Sequence, residues 1–292
     1  MEFKEKLRTY QSEIESAVDQ YLPAEATRPS RIHEAMLYSM RAGGKRLRPV
    51  LVLASKELFD SELDAMPAAI AVECLHTYSL IHDDLPSIDD GDLRRGKPTS
   101  HKQFDEATAV LAGDALLAYA FQLLARHFAN APDVCANLVG ELGETAGSER
   151  LIGGQMEDIL GEGGPLSEDT LNFIHLNKTS ALIECCLVMG GIIGGANYEQ
   201  IDALRTYGRE IGIAFQIIDD ILDATSDETT MGKSIGSDAE LDKTTYVKLH
   251  GLEKSRELAA QRTQKAIQIC SALPSGAPFL AGLATHLENR LN

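Results

Sequence analysis

Cysteine is scarce and unpatterned in this chain: the five residues at 74, 135, 185, 186 and 270 are odd in number and show no C-x-x-C spacing. A disulfide framework and a cysteine-ligated zinc site are therefore excluded, and reduced thiols in a cytoplasmic setting are expected. Positive charge is short as well. With 27 Lys+Arg against 44 Asp+Glu the net charge is -17, which argues against nucleic acid as a partner, because a phosphate backbone rewards a basic face. No run of about 18 uncharged apolar residues occurs, so no segment is expected to span a bilayer and a soluble globular protein is expected. The stretch Met1–Leu22 carries Lys4, Glu5, Lys6, Arg8, Glu13, Glu15 and Asp19 where an export signal would need an apolar core. A Ser/Pro-rich linker and a fixed-period repeat are both missing, so a single domain over 1–292 is expected.

What the chain has instead is helical periodicity. Phe3, Leu7, Tyr10, Ile14, Ala17 and Tyr21 recur at spacings of three and four and stop near Pro23. The same rhythm returns over 31–41, 49–59, 65–84, 107–128, 133–148, 168–175, 179–193, 198–224, 254–271 and 277–290. No alternating strand pattern competes with it, so the expected fold class is all-α, with about ten helices. The segments 67–84, 107–128 and 179–193 are apolar around most of their circumference, as central bundle helices or helices covered by another subunit are.

Two acidic clusters interrupt this apolar background. The first, His82-Asp83-Asp84-Leu85-Pro86-Ser87-Ile88-Asp89-Asp90-Gly91-Asp92, leaves an apolar helix with five carboxylates. Carboxylates in such surroundings are costly unless a cation neutralises them, and a hard divalent ion does so best. In one continuous helix Asp83 and Asp89 would point about 120° apart. Pro86 is expected to end or kink the helix and allow them to converge.

The second cluster, Phe215-Gln216-Ile217-Ile218-Asp219-Asp220-Ile221-Leu222-Asp223, lies within a helix, where Gln216, Asp219 and Asp223 share one face. Its apolar neighbours leave little room for a solvated surface. The two clusters read as facing walls of one site holding several magnesium ions, since Mg2+ is content with few carboxylates completed by water and substrate phosphates.

Phosphate then becomes the expected ligand, and the basic residues cluster accordingly: Arg41, Lys45, Arg46 and Arg48; Arg94, Arg95 and Lys97; and Lys233 after the second acidic cluster. Gly43-Gly44-Lys45-Arg46-Leu47-Arg48-Pro49 offers glycine backbone and cations suited to a diphosphate, although it is not a Walker loop. His76, two helical turns before Asp83, can reach the same cavity.

Taken together these residues resemble the polyprenyl synthetase family, and within it the bacterial farnesyl diphosphate synthases and their short-chain relatives. The likeness runs through Gly43–Pro49, Glu73 to Pro98, Gly113-Asp114, Gly154-Gln155 with Asp158, Lys178-Thr179, Phe215–Asp223, Gly232-Lys233, Asp238 and Lys243–Tyr246. It implies an isoprenoid synthase fold around a deep central cavity and a homodimer. It implies two to three Mg2+ ions, with Mn2+ as a possible substitute, on Asp83, Asp89 and Asp219, supported by Asp84, Asp220 and Asp223. Arg94, Lys178, Lys233 and Lys243 are implied for an allylic diphosphate, and Gly44, Lys45, Arg48, His76 and Arg95 for isopentenyl diphosphate. Thr179, Phe215 and Gln216 are implied beside the reacting carbons.

The resemblance further implies ionisation of the allylic diphosphate, attack by the double bond of isopentenyl diphosphate, and proton loss to the departed diphosphate. Product length would depend on Tyr78, the fifth residue before Asp83, although an ideal helix puts Ser79 beneath that aspartate. An aromatic at Tyr78 together with Pro86 resembles synthases that stop at farnesyl diphosphate; geranyl and geranylgeranyl diphosphate are the alternatives. A class I terpene cyclase is disfavoured because Gly44, Lys45 and Arg48 are kept, and a noncatalytic subunit because both aspartate clusters are intact.

Overall fold

The computed structural model describes residues 2–161, 164, 167–225 and 245–289. Lys233, Lys243 and Asp238 lie outside them. The described residues are overwhelmingly helical and pack as two compact units, Met1–Leu53 with Leu63–Gly140, and Ala54–Glu62 with Glu141–Asn292.

The first unit contains α1 (Phe3–Tyr21), α2 (Ser30–Met40), most of α3 (Leu47–Lys56), α4 (Met66–Asp83), a two-stranded ribbon of β1 (Leu93–Arg94) and β2 (Lys97–Pro98), the single turn α5 (Ser100–Gln103), α6 (Glu106–His127) and the start of α7 (Pro132–Ala146). Its centre is α4, buried on every side from Pro67 to Ile81. That explains a helix with no polar stripe: α6 closes one flank, and burying such a helix all round is what removes its apolar surface from water. Asp105 caps α6, its carboxylate accepting from Thr108 N at 2.7 Å.

The second unit contains α8 (Leu151–Leu160), α9 (Glu168–Ile174), a π-helical turn (His175–Ser180), α10 (Ala181–Gly194), the long α11 (Tyr198–Thr225), α12 (Tyr246–His250), α13 (Leu252–Cys270), a 3-10 turn (Pro274–Gly276) and α14 (Pro278–Glu288). Nearly all of α10 is buried, and α11 lies against α10, α13 and the π turn. The close approach of α11 to the π turn depends on Gly212, where any Cβ would strike Ser180. Gly154 of α8 does the same against the backbone of Lys178.

Three differences from the sequence expectation stand out. Helix α8 and the ribbon were not anticipated, and a π turn replaces α-helix at the start of the expected 179–193 segment. By length and composition Glu106–His127 and Glu168–Gly194 could cross a membrane, yet 78% of the second window is buried within the protein, as in an interior helix, against 44% of the first.

Candidate active site

In the first unit Pro86 does what its ring dictates. Helix α4 stops at Asp83, and the chain turns back so tightly that Asp89 N donates to the carbonyl of Asp83 at 2.9 Å, Asp90 N to Leu85 at 3.1 Å and Gly91 N to Asp84 at 3.2 Å. Residues six apart in sequence are thereby hydrogen-bonded neighbours. Asp84 is different: it is 4% exposed, and both its oxygens are taken by Arg94, whose Nε and Nη2 each donate at 2.6 Å. A bidentate pair of this kind fixes an orientation as well as a charge.

The ribbon sets that pairing. Its two linking residues, Arg95 and Gly96, both have positive φ (54° and 76°), the geometry of a type I′ hairpin turn. It sends Arg94 to Asp84 and Arg95 to the glycine loop, where the Arg95 guanidinium donates to the carbonyl of Gly43 and crowds Gly44. Burial opposes the Arg94 charge, but the Asp84 hydrogen bonds and the charges of Asp84, Asp83 and Asp89 overcome it and leave its pKa raised.

Beside this lies a dense cationic cluster. Arg48 Nη1 sits 3.3 Å from His76 Nε2. Burial first, and then Arg48, Arg95, Arg94 and Arg46, hold the His76 pKa well below the ordinary histidine value, so its ring is neutral. Arg95 is itself depressed, by burial and by Arg46, Arg94 and Arg48, with Glu73 pulling the other way. Arg46, read from the sequence as one of the cations suited to a diphosphate, is instead committed to the structure. Buried, it donates to Glu15, Glu73 and the carbonyl of Met40, tying α1, α2 and α4 to the glycine loop. Lys45 is exposed in the same loop, its carbonyl accepting from Gln11 Nε2 at 2.8 Å. Gly44, Arg48, His76 and Arg95 thus converge.

Tyr78 and Ser79 part company on α4. The Tyr78 ring is buried edge-on against His82 at 5.6 Å, and His82 Nε2 reaches the carbonyl of Val110 on α6 at 3.1 Å. Ser79 instead turns its hydroxyl onto the carbonyl of His76 at 2.9 Å.

In the second unit, Gln216, Asp219 and Asp223 are each partly exposed along one line of α11, with Phe215 partly exposed beside them. Asp220 is buried on another face, and its Oδ2 accepts from the amide of Tyr246 at 2.8 Å. Lys178 and Thr179 lie on the π turn, a winding that shifts the backbone ladder by one residue and is frequent at functional sites. Lys178 Nζ donates to Asp158 of α8 at 2.6 Å. His175, which opens that turn, is pushed down to about 4 by burial, with Lys178 adding to the shift and Asp158 opposing it.

Among the described residues no group of three or more His, Cys, Asp or Glu forms a metal cage. That donor set fits magnesium better than zinc or calcium: Asp83 with Asp89, and Asp219 with Asp223, offer oxygen pairs that water and phosphate would complete.

The family model described as polyprenyl synthetase matches residues 29–272. The chain belongs to the polyprenyl synthetase family. It is 49% identical over 272 residues to a chloroplastic geranylgeranyl pyrophosphate synthase of Catharanthus roseus, covering 90% of this chain and 75% of that one. A farnesyl diphosphate synthase of Micrococcus luteus is 44% identical over 277 residues, 94% of each chain. Among solved structures, an FPP/GFPP synthase from Zymomonas mobilis superposes with a TM-score of 0.86 at 38% identity, covering 97% of this chain and 98% of that one. A geranyltransferase from Helicobacter pylori, complexed with magnesium and isoprenyl diphosphate, gives 0.83 at 35% identity, over 98% and 96% of the chains. This polyprenyl synthetase has the isoprenyl synthase fold and is a prenyltransferase, a short-chain prenyl diphosphate synthase.

Proposed function

We propose that this synthase condenses isopentenyl diphosphate with dimethylallyl or geranyl diphosphate, releases diphosphate and yields farnesyl diphosphate, working across 1–292 as one domain and as a cytoplasmic homodimer. The observation that carries the reading is the turn at Pro86, which makes Asp83 and Asp89 neighbours beside the cationic cluster of Arg48, Arg94 and Arg95.

Isopentenyl diphosphate fits that cluster. Arg48, Arg95 and Lys45 present charge, neutral His76 presents a hydrogen-bonding ring, and Gly44 lets the backbone come close. Its anion would favour the Arg95 charge, which burial first and then the neighbouring arginines disfavour. The allylic diphosphate is assigned to Arg94, Lys178, Lys233 and Lys243 with the two aspartate pairs. Magnesium, when bound, supplies the Lewis acidity that stabilises the departing diphosphate. Backbone oxygens of the Lys178-Thr179 turn, and the Gln216 amide, face the cationic charge that develops on the allyl carbon, with Phe215 screening it from water. The double bond attacks that carbon, and the released diphosphate takes the proton.

Tyr78 supports a short product, because a bulky buried aromatic five residues before Asp83 shortens the space along α4. A geranylgeranyl product is the second reading, favoured by the likeness to the plant enzymes. Incubation with magnesium, labelled isopentenyl diphosphate and dimethylallyl or geranyl diphosphate tests both. Linear farnesyl diphosphate is expected; a linear geranylgeranyl product selects the second reading, and a cyclised hydrocarbon or no product overturns both.

A further inference from the structure

Helix α1 lies against the glycine loop, and one of its faces grips two consecutive residues there. Gln11 and Glu15 are one turn apart on that face. Gln11 Nε2 donates to the carbonyl of Lys45 at 2.8 Å, while the Glu15 carboxylate takes Nε and Nη2 of Arg46 at 2.7 and 3.0 Å. Nη1 of the same guanidinium donates to Glu73 of α4 at 2.6 Å, and Nη2 also reaches the carbonyl of Met40.

The backbone of the loop needs such a grip. Gly43, Gly44 and Arg46 all have positive φ, at 80°, 119° and 47°. Glycine takes up that conformation freely, but arginine adopts it only at a steric cost that surrounding contacts must offset. Arg46 is also the residue from which α3 starts, its carbonyl accepting from Val50 N at 3.2 Å. Its backbone angle therefore sets the direction of the first turn of α3, and on that turn sits Arg48, whose Nη1 lies 3.3 Å from His76 Nε2. Lys45, on the other side of Arg46, takes its direction from the same angle.

We infer that Gln11 and Glu15 of α1 are positioning residues for isopentenyl diphosphate: by holding Lys45 and Arg46 they fix the loop conformation in which Lys45 and Arg48 present their charges to the diphosphate. The inference rests on the proposed isopentenyl site for its kinetic consequence, and on the loop geometry alone for its structural one.

A split between the two substrates follows from where the grip acts. It shapes the loop assigned to isopentenyl diphosphate, whereas the allylic diphosphate is assigned to Arg94, Lys178, Lys233 and Lys243. Loosening it weakens the binding of one substrate and spares the other and the chemical step, so KM for isopentenyl diphosphate rises while kcat is kept. Arg46 itself is no clean probe, since replacing it strips the buried Glu73 of the cation beside it. Gln11 is partly exposed and Glu15 exposed, so altering them spares the core.

The test is two-substrate kinetics on the purified full chain, for wild type, Gln11→Met, Glu15→Gln and Glu13→Gln. The first variant keeps the length of the side chain and discards the donor; the second keeps the shape and discards the charge. Glu13→Gln makes the same change of charge at an exposed position of the same helix. KM for isopentenyl diphosphate should rise about three- to tenfold in Gln11→Met and about tenfold or more in Glu15→Gln, because hydrogen bonds between charged groups are the stronger. Both kcat and the allylic KM should stay within about twofold of wild type, and Glu13→Gln should match wild type throughout. An unchanged KM for isopentenyl diphosphate in the two α1 variants would overturn the inference, as would a rise shared equally by both substrates. Hydrogen exchange on the same proteins without substrate reads the grip itself: amides of residues 43–48 should exchange faster in Gln11→Met and Glu15→Gln, with those of α6 unchanged. Wild-type protein that transfers no prenyl group would count against the reaction; exchange then decides the inference, and loop amides no faster than those of wild type would overturn it.

Discussion

Asp89 donates its backbone amide to the carbonyl of Asp83 at 2.9 Å, so two carboxylate-bearing residues separated by Pro86 and a complete reversal of the chain share one turn. An uninterrupted helix would have kept them on different faces. Pro86→Ala restores a backbone donor and the option of further helix, and so loosens that turn. The expected result is a kcat/KM lower by about ten- to a hundredfold with near-normal thermal stability, because a small misplacement of binding groups costs far more in rate than in folding. Steady-state kinetics beside a melting curve checks it.

Asp84 and Arg94 make the opposite prediction. Asp84 is nearly inaccessible and Arg94 answers both its oxygens. Arg94→Ala leaves a buried carboxylate uncompensated and should destabilise the protein by about 3 kcal/mol, whereas a double change to Asp84→Asn and Arg94→Gln should cost less than the two single changes summed. Arg94→Lys should not rescue, since a single ammonium cannot reproduce the two-pronged contact. Denaturant unfolding measures all five variants.

The Tyr78 hydroxyl is buried without a hydrogen-bond partner among the described residues, and burial, with Asp83 adding, pushes its pKa up to about 12. The ring and not the hydroxyl is therefore the working part. Tyr78→Phe should leave the product unchanged and stability equal or slightly higher, because no buried hydrogen bond is lost. Tyr78→Ala should lengthen the product, as read by chromatography of the dephosphorylated alcohols. An identical product from the alanine variant would remove Tyr78 from chain-length control.

His175 gives a pH prediction with a definite sign. Its pKa is near 4 in the folded protein and about 6.5 when unfolded, so between those values the unfolded chain binds more protons. Stability therefore falls as pH drops from about 6.5 towards 4, by up to about 3 kcal/mol from this residue alone. His76, displaced in the same direction, adds to the fall. His175→Phe, which cannot titrate, should flatten the stability profile over that window in urea unfolding series.

Much of this was legible in advance. Apolar spacing alone located most of the helices, because each buries a stripe whose period is that of the helix itself. Helix α8 escaped because its outer face carries Ile152, Met156 and Leu160, all exposed, so no polar stripe marked it, and Gly153-Gly154 reads as a break. The ribbon escaped because its strands are two residues long and its turn is Arg-Gly in place of Asn-Gly. The convergence of Asp83 with Asp89 followed from Pro86. What sequence order could not reveal were the long-range partners: Asp84 with Arg94, Lys178 with Asp158, Arg46 with Glu73 and Asp220 with Tyr246. Each joins residues far apart in the chain, and in a run of adjacent aspartates nothing local says which carboxylate faces inward.

In the proposed prenyl transfer diphosphate leaves as a new carbon–carbon bond forms, and a single reaction can follow both events. With geranyl diphosphate, labelled isopentenyl diphosphate and magnesium, label incorporated into a linear product and diphosphate released should rise together, one for one, with chelation stopping both and magnesium restoring both. Diphosphate released without incorporation of label, or incorporation indifferent to chelation, would contradict it.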